Sequence, residues 1–126
     1  MTRPLIVLGV TGSIGRQVIE VAQRLGREVK AFAARRGSDA LAELAETFPE
    51  ALIGVAAPTG GERERFGSFG SRVRFGPEAL VELASIPGTV VVNGVVGSAG
   101  LGASVAALEA GNRLALANKE SLVAGG

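Results

Sequence analysis

The chain has 126 residues, 47% of them apolar, and 13 basic against 12 acidic side chains give a formal net charge of +1. It contains no cysteine and no histidine, which excludes disulfides, thiolate chemistry and imidazole acid–base catalysis. No apolar run approaches the ~18 residues of a membrane span, no signal-type segment opens the chain, and no basic stripe with aromatics suits nucleic acid, so the sequence predicts one cytoplasmic domain.

Leu5-Ile6-Val7-Leu8 reads as a buried strand with both faces covered. A turn containing Gly9, Gly12 and Gly15 follows, and then the run Arg16 to Leu25, with apolar residues at 18, 21, 22 and 25 in helical spacing. Strand, glycine turn and helix form the first unit of a dinucleotide-binding fold. Small residues let the backbone approach a pyrophosphate, and the new helix offers it N–H groups and a positive dipole end. The spacing is G-x-x-G-x-x-G, and a tight turn that binds nothing has the same pattern. Thr11 and Ser13 add hydroxyls where a phosphate would sit.

Gly26 ends the first helix. Residues 28–34 read as a second strand, and Ser38 or Asp39 caps a helix over 40–47 whose apolar face is Leu41, Leu44, Ala45 and Phe48. Pro49 breaks that helix, and 51–56 is a third strand. The pattern weakens from 58 to 76, where Glu62-Arg63-Glu64-Arg65-Phe66 suits a short helix with solvated charges and 72–75 a short strand. A helix over 77–85 buries Leu80, Val81, Leu83 and Ala84. Thr89 to Asn93 is a β-branched central strand, Gly94 to Gly100 a second glycine-rich turn, 101–110 a helix closed by Gly111, and 113–117 a sixth strand. The alternation predicts a Rossmann-like, doubly wound parallel α/β sheet of about six strands, in order 3-2-1-4-5-6, with helices on both faces. The expected core includes Ile6, Leu8, Ile19, Val29, Phe32, Leu44, Ile53, Val91, Val105 and Leu108.

In such a sheet ligands lie beyond the carboxyl ends of the strands. The turns at 9–15, 35–38 and 97–100 and the segment 118–120 all map there. An NAD-binding chain commonly places Asp or Glu about 20 residues beyond the glycine turn, to accept from the ribose 2′-hydroxyl. Here that place holds Arg35-Arg36, which suits a 2′-phosphate and favours NADP(H), although an exposed basic pair at a helix entry has the same sequence. Lys119, one of two lysines, stands between Asn118 and Glu120. That triplet serves equally well to orient a ligand or to start a helix.

With those residues in view, the chain resembles the N-terminal part of the 1-deoxy-D-xylulose 5-phosphate reductoisomerase family. The family's G-x-T-G-S-I-G opening is matched by Gly9 to Gly15, with Val10 where Ser is usual, and its L-A-N-K-E-S-L-V run by Leu116 to Val123. Val96 to Leu101 is similar to its V-G-x-A-G-L turn. The resemblance implies an NADPH-dependent enzyme of non-mevalonate isoprenoid biosynthesis, which rearranges 1-deoxy-D-xylulose 5-phosphate and reduces the product to 2-C-methyl-D-erythritol 4-phosphate. It further implies that Thr11, Gly12, Ser13 and Ile14 hold the cofactor phosphates. Arg35, Arg36 and Gly37 stand where the family has Gly-Lys-Asn around the 2′-phosphate. Asn118 and Glu120 contact the nicotinamide ribose, and Lys119 faces the substrate.

The family's divalent metal (Mg²⁺ or Mn²⁺) is held by carboxylates downstream of the N-K-E-S-L-V run, and the full-length enzyme is expected to be a homodimer. The resemblance therefore implies an NADPH-binding domain with no catalytic residue and no metal ligand of its own, inactive alone. Another NADP-dependent dehydrogenase domain, or a non-catalytic nucleotide-sensing module, shares the same broad features.

Overall fold

The computed structural model describes residues 3–116. Six strands form one wholly parallel sheet: β1 (Leu5–Leu8), β2 (Val29–Ala34), β3 (Leu52–Val55), β4 (Val73–Phe75), β5 (Val90–Asn93) and β6 (Arg113–Leu116). Five α-helices connect them: α1 (Ser13–Leu25), α2 (Asp39–Thr47), α3 (Gly60–Phe66), α4 (Glu78–Ala84) and α5 (Gly97–Glu109). A 3-10 helix over Gly67–Arg72 leads from α3 into β4.

The class agrees with the sequence, but the strand order is β4-β3-β2-β1-β5-β6 and not 3-2-1-4-5-6. The short strand at 73–75 extends the β1-to-β3 series outward, because its crossover through α3 keeps the same direction. The reversal comes one unit later. Helix α4 passes over β1, β2 and β3 on the opposite face and delivers β5 to the free side of β1.

Alternation along the strands divides the core in two. Leu5 and Val7 face Ile19, Phe32, Leu41 and Phe66, under α1, α2 and α3. Ile6 and Leu8 face Leu80, Leu83, Val91, Ala103 and Ala107, under α4 and α5. Ile6, Leu8, Ile19, Val29, Phe32, Ile53 and Val91 are buried as expected, whereas Leu44 is only partly buried. Val105 and Leu108 are corrections, with 45% and 61% of their surface exposed.

Helix α5 buries Gly100, Ala103 and Ala107 instead. It begins four residues earlier than the large apolar residues suggest and rests on its small ones, because it lies close against the sheet and α4. Its Leu101, Val105 and Leu108 are left outward. Similar steric selection turns α1 onto Gly15, Ile19 and Ala22, leaving Val21 and Leu25 exposed, and Val81 of α4 is exposed as well.

Arg72, at the end of the 3-10 helix, fastens the sheet edge. Its Nε donates to the Ala51 carbonyl at 2.9 Å, and its NH2 donates to those of Ala45 and Phe48 at 3.0 and 2.8 Å. Two of these carbonyls, of Ala45 and Phe48, lie at the end of α2, which has no terminal glycine to close it, and the Phe48 carbonyl also accepts from Ala51 N at 3.0 Å. Arg72→Ala is expected to lower stability by about 2–3 kcal/mol, the scale of charge-assisted hydrogen bonds to partly buried acceptors. Urea denaturation should show this as a lower midpoint at an unchanged m-value.

Candidate nucleotide site

The sheet order puts the topological switch between β1 and β5, whose carboxyl ends lie side by side with Leu8 opposite Asn93. The two chains that leave there diverge, one through α1 toward β2 and one through α5 toward β6. A cleft of about 490 Å³ opens between them. Gly9, Thr11 and Gly12 line one wall, Gly94, Val95, Val96 and Ala99 the other, and Ala56, Ala57, Pro77 and Leu80 lie between, with Arg35 at the margin. A slightly larger groove, about 540 Å³, lies around Arg27 to Lys30 and Thr47 to Leu52. That groove sits at the amino ends of β2 and β3, where no helix N-terminus points.

Close backbone approach explains the glycines. Gly9 has φ +79°, and a Cβ there would lie 3.0 Å from the Gly94 carbonyl carbon. A Cβ on Gly15 would stand 2.4 Å from the Gly9 oxygen, and one on Gly100 would stand 1.9 Å from the Val95 oxygen. The two turns are thus equivalent in construction, each letting a helix start directly against the strand that feeds it. The sequence singled out both, although residues 97–100 are the first turn of α5 rather than loop.

Capping and first-turn charge together set α1 and α5 apart, since α4, which also lacks a side-chain cap, carries Glu78 in its first turn. Ser38 Oγ caps α2 by accepting from Leu41 N at 3.1 Å, and Thr59 with Glu62 forms a reciprocal capping box on α3. Helices α1 and α5 begin at Gly12 and Val96, with no side-chain cap and no acidic residue in the first turn. Both helix starts border the one cleft, α1 through Gly12 and α5 through Val96 and Ala99, an arrangement complementary to an anion.

Asn93 supports the second wall. It is 1% exposed, its Oδ1 accepts from Val95 N at 2.9 Å, and its Nδ2 donates to the Gly100 carbonyl at 2.8 Å and to Ser104 Oγ at 2.9 Å. In the sequence this residue reads only as the last position of a strand. A polar residue closing a β-branched run just before a glycine turn was the available signal.

The other predicted residues divide. Thr11 and Gly12 line the cleft, Ser13 and Ile14 form the start of α1, and Arg35 reaches the cleft. The Ile14 side chain itself packs in a groove beside Val18 and Val21, so only its backbone is turned to the turn region. Arg36 and Gly37 meet Glu62 instead. Arg36 Nε donates to both Glu62 oxygens at 3.1 and 3.2 Å, Arg36 NH2 donates at 2.9 Å, and Gly37 N donates at 2.9 Å. The Arg36 hydrogen bond, followed by that from Gly37 N, holds the Glu62 carboxyl at about 2. The charged run at 62–65 is therefore more than the solvated face its sequence suggests. Asn118, Lys119 and Glu120 lie outside the described residues.

Among the described residues no three acidic, histidine or cysteine side chains gather into a possible metal site, and no helix is long and apolar enough to cross a membrane.

The family model described as 1-deoxy-D-xylulose 5-phosphate reductoisomerase matches residues 5–126. A reductoisomerase of that name from Bifidobacterium longum is 39% identical over 130 residues, covering 97% of this chain and 33% of the relative. One from Kitasatospora griseola is 43% identical over 132 residues, covering 97% and 34%. Among solved structures, the Zymomonas mobilis reductoisomerase in complex with NADPH superposes with a TM-score of 0.81 at 35% identity, covering 98% of this chain and 34% of that one. A reductoisomerase in complex with magnesium gives a TM-score of 0.79 at 31% identity, covering 98% and 32%. The chain thus spans about a third of the length of these relatives. With the family's turn motifs at the two walls of the cleft and its model matched over nearly every residue, this chain belongs to the 1-deoxy-D-xylulose 5-phosphate reductoisomerase family.

Proposed function

We propose that this chain is the NADPH-binding part of a 1-deoxy-D-xylulose 5-phosphate reductoisomerase. The observation that carries the reading is the pair of helix starts without side-chain caps, α1 and α5, meeting with their glycine turns at one cleft at the switch point. The cradle fits a dinucleotide. Gly9 and Gly12 on one wall and Gly94 on the other keep the turns free of side chains there, so a pyrophosphate can approach the N–H groups of Ser13 and Ile14 and the Thr11 side chain closely. On the family resemblance, we assign the loop Arg35–Gly37 to the 2′-phosphate, Asn118 and Glu120 to the nicotinamide ribose, and Lys119 to the substrate. When bound, NADPH supplies the hydride that reduces the rearranged aldehyde. This chain's residues bind and orient the cofactor for that step. The whole protein is proposed to act as a cytoplasmic homodimer on 1-deoxy-D-xylulose 5-phosphate with a divalent metal.

Calorimetric titration should show NADPH binding more tightly than NADH. Replacing Arg35 and Arg36 together by Ala should remove most of the difference, since charge-assisted phosphate contacts are worth roughly 1.5–3 kcal/mol. Equal affinity for the two nucleotides in the unaltered chain would overturn the reading.

Residues 1–126 alone are expected to show no substrate-dependent NADPH oxidation, even with Mg²⁺ or Mn²⁺ added. The rearrangement of a hydroxyketone needs a hard cation fixed by several oxygen ligands, and the described carboxylates are dispersed. Measurable turnover by the purified chain would refute this.

A further inference from the structure

The two arginines ending β2 are adjacent in sequence but differ in their surroundings. Arg35 lines the nucleotide cleft and, among the described residues, makes no side-chain ion pair. Arg36 presents its Nε–NH2 edge to Glu62, in the side-on bidentate geometry that guanidinium and carboxylate favour. We propose that Glu62 withdraws Arg36 from ligand recognition and leaves Arg35 as the guanidinium that distinguishes a 2′-phosphorylated nucleotide from an unphosphorylated one. This rests on the NADPH reading above and assigns its specificity to a single residue.

Glu62 is built into its place. It is the third residue of α3, its backbone N–H donates to Thr59 Oγ1 at 3.2 Å, and its Oε1 also accepts from Thr59 N at 3.4 Å. Its stem packs over Gly37, where an added Cβ would lie 3.2 Å from Glu62 Cγ and 2.6 Å from the buried Phe66 ring. A second tie, Arg65 to Asp39 at 2.8 Å, holds the same helix to the start of α2. A 2′-phosphate arriving at the cleft would have to break four hydrogen bonds to Glu62 to recruit Arg36 and the Gly37 N–H together. Arg35 is available without any such exchange. The Arg36–Glu62 pair is neutral as a unit, so the charge offered to the ligand is that of Arg35.

Titration of NADPH and NADH into four proteins tests this. The unaltered chain tests the cofactor reading itself, and a preference for NADPH there is the precondition for the rest. Arg35→Ala should reduce the NADPH-to-NADH affinity ratio about tenfold or more, with NADH affinity retained as the control for folding. Arg36→Ala should change that ratio less than about threefold. Glu62→Gln added to Arg35→Ala should release Arg36 and restore part of the lost preference, an effect that a merely structural Glu62 would not produce. Loss of preference in Arg36→Ala with its retention in Arg35→Ala would overturn the assignment. Equal loss in both single variants would overturn it too, as would an absence of recovery in the double variant. Each of these results leaves the NADPH reading intact.

Discussion

Gly100→Ala is expected to lose about 3 kcal/mol or more of stability, while Gly102→Ala, two residues along the same helix, gains about 0.5–1 kcal/mol. Only the surroundings of the two glycines differ. A Cβ on Gly100 would fall 1.9 Å from the Val95 carbonyl oxygen and 2.7 Å from its carbon, backbone atoms that cannot turn aside as a side chain would. Helix α5 would have to move away from β5, opening the contact that buries Ala103 and Ala107. A Cβ on Gly102 meets nothing within 4 Å, so alanine there only removes the conformational freedom that glycine has in the unfolded chain. Gly15→Ala should follow Gly100, since its Cβ would lie 2.4 Å from the Gly9 oxygen and 2.8 Å from Val10 Cα. Thermal or urea unfolding of the three variants gives the comparison. Similar destabilisation by Gly100→Ala and Gly102→Ala would show that the glycines matter for flexibility and not for close approach.

That contrast also marks what the sequence reveals and what it conceals. The glycine turn after β1 is legible because strand, turn and helix are consecutive, and each has a local signature. The same holds for Ser38 as a cap and for Gly26, which ends α1 at φ +67°. The outward placement of Val105 and Leu108 is not legible. Burial on a helix follows the large apolar residues only when there is room between helix and sheet for them. Here Gly100, Ala103 and Ala107 form the closer-fitting face, and the closeness is set by the second glycine turn. The strand order is hidden for a related reason. Whether 73–75 extends the outer edge or returns beside β1 depends on the direction of a crossover, which three alternating residues do not encode.

The site shows the same division. In sequence Arg35 and Arg36 are an equivalent pair, because their positions differ by one. Glu62, which separates their surroundings, stands 26 residues from Arg36. Its capping-box motif with Thr59 is visible in sequence, but its second use, holding the loop at Gly37, is a tertiary contact. Asn112 is another buried polar residue that periodicity does not flag. Its Oδ1 accepts from Thr89 N, and its Nδ2 donates to the Ala84 and Ile86 carbonyls, joining the end of α4 to the starts of β5 and β6.

Asn93→Leu is expected to cost about 2–5 kcal/mol and to weaken nucleotide binding along with it. The substitution keeps the branched shape and the heavy-atom count of the side chain while adding volume, so the loss comes from the partners left behind together with some overpacking. Val95 N–H and the Gly100 carbonyl now pair with Asn93 at 2.9 and 2.8 Å. Leucine would leave Val95 N–H without its partner, at roughly 1–3 kcal/mol if kept from water, and would remove the second hydrogen bond that the Gly100 carbonyl accepts beside its helical one. Asn93→Asp should also destabilise, because it keeps the acceptor for Val95 but sets a carboxylate oxygen against the Gly100 carbonyl. Both groups belong to the segment that forms the second wall of the cleft, so the turn would have to open for water to reach them. Calorimetry and urea unfolding on the same preparations separate the two effects. Under this account, NADPH affinity falls in Asn93→Leu at temperatures where the variant is still fully folded. Unchanged affinity in the folded variant would show that the Gly94–Val96 wall holds its shape without Asn93 and that the residue serves the core alone.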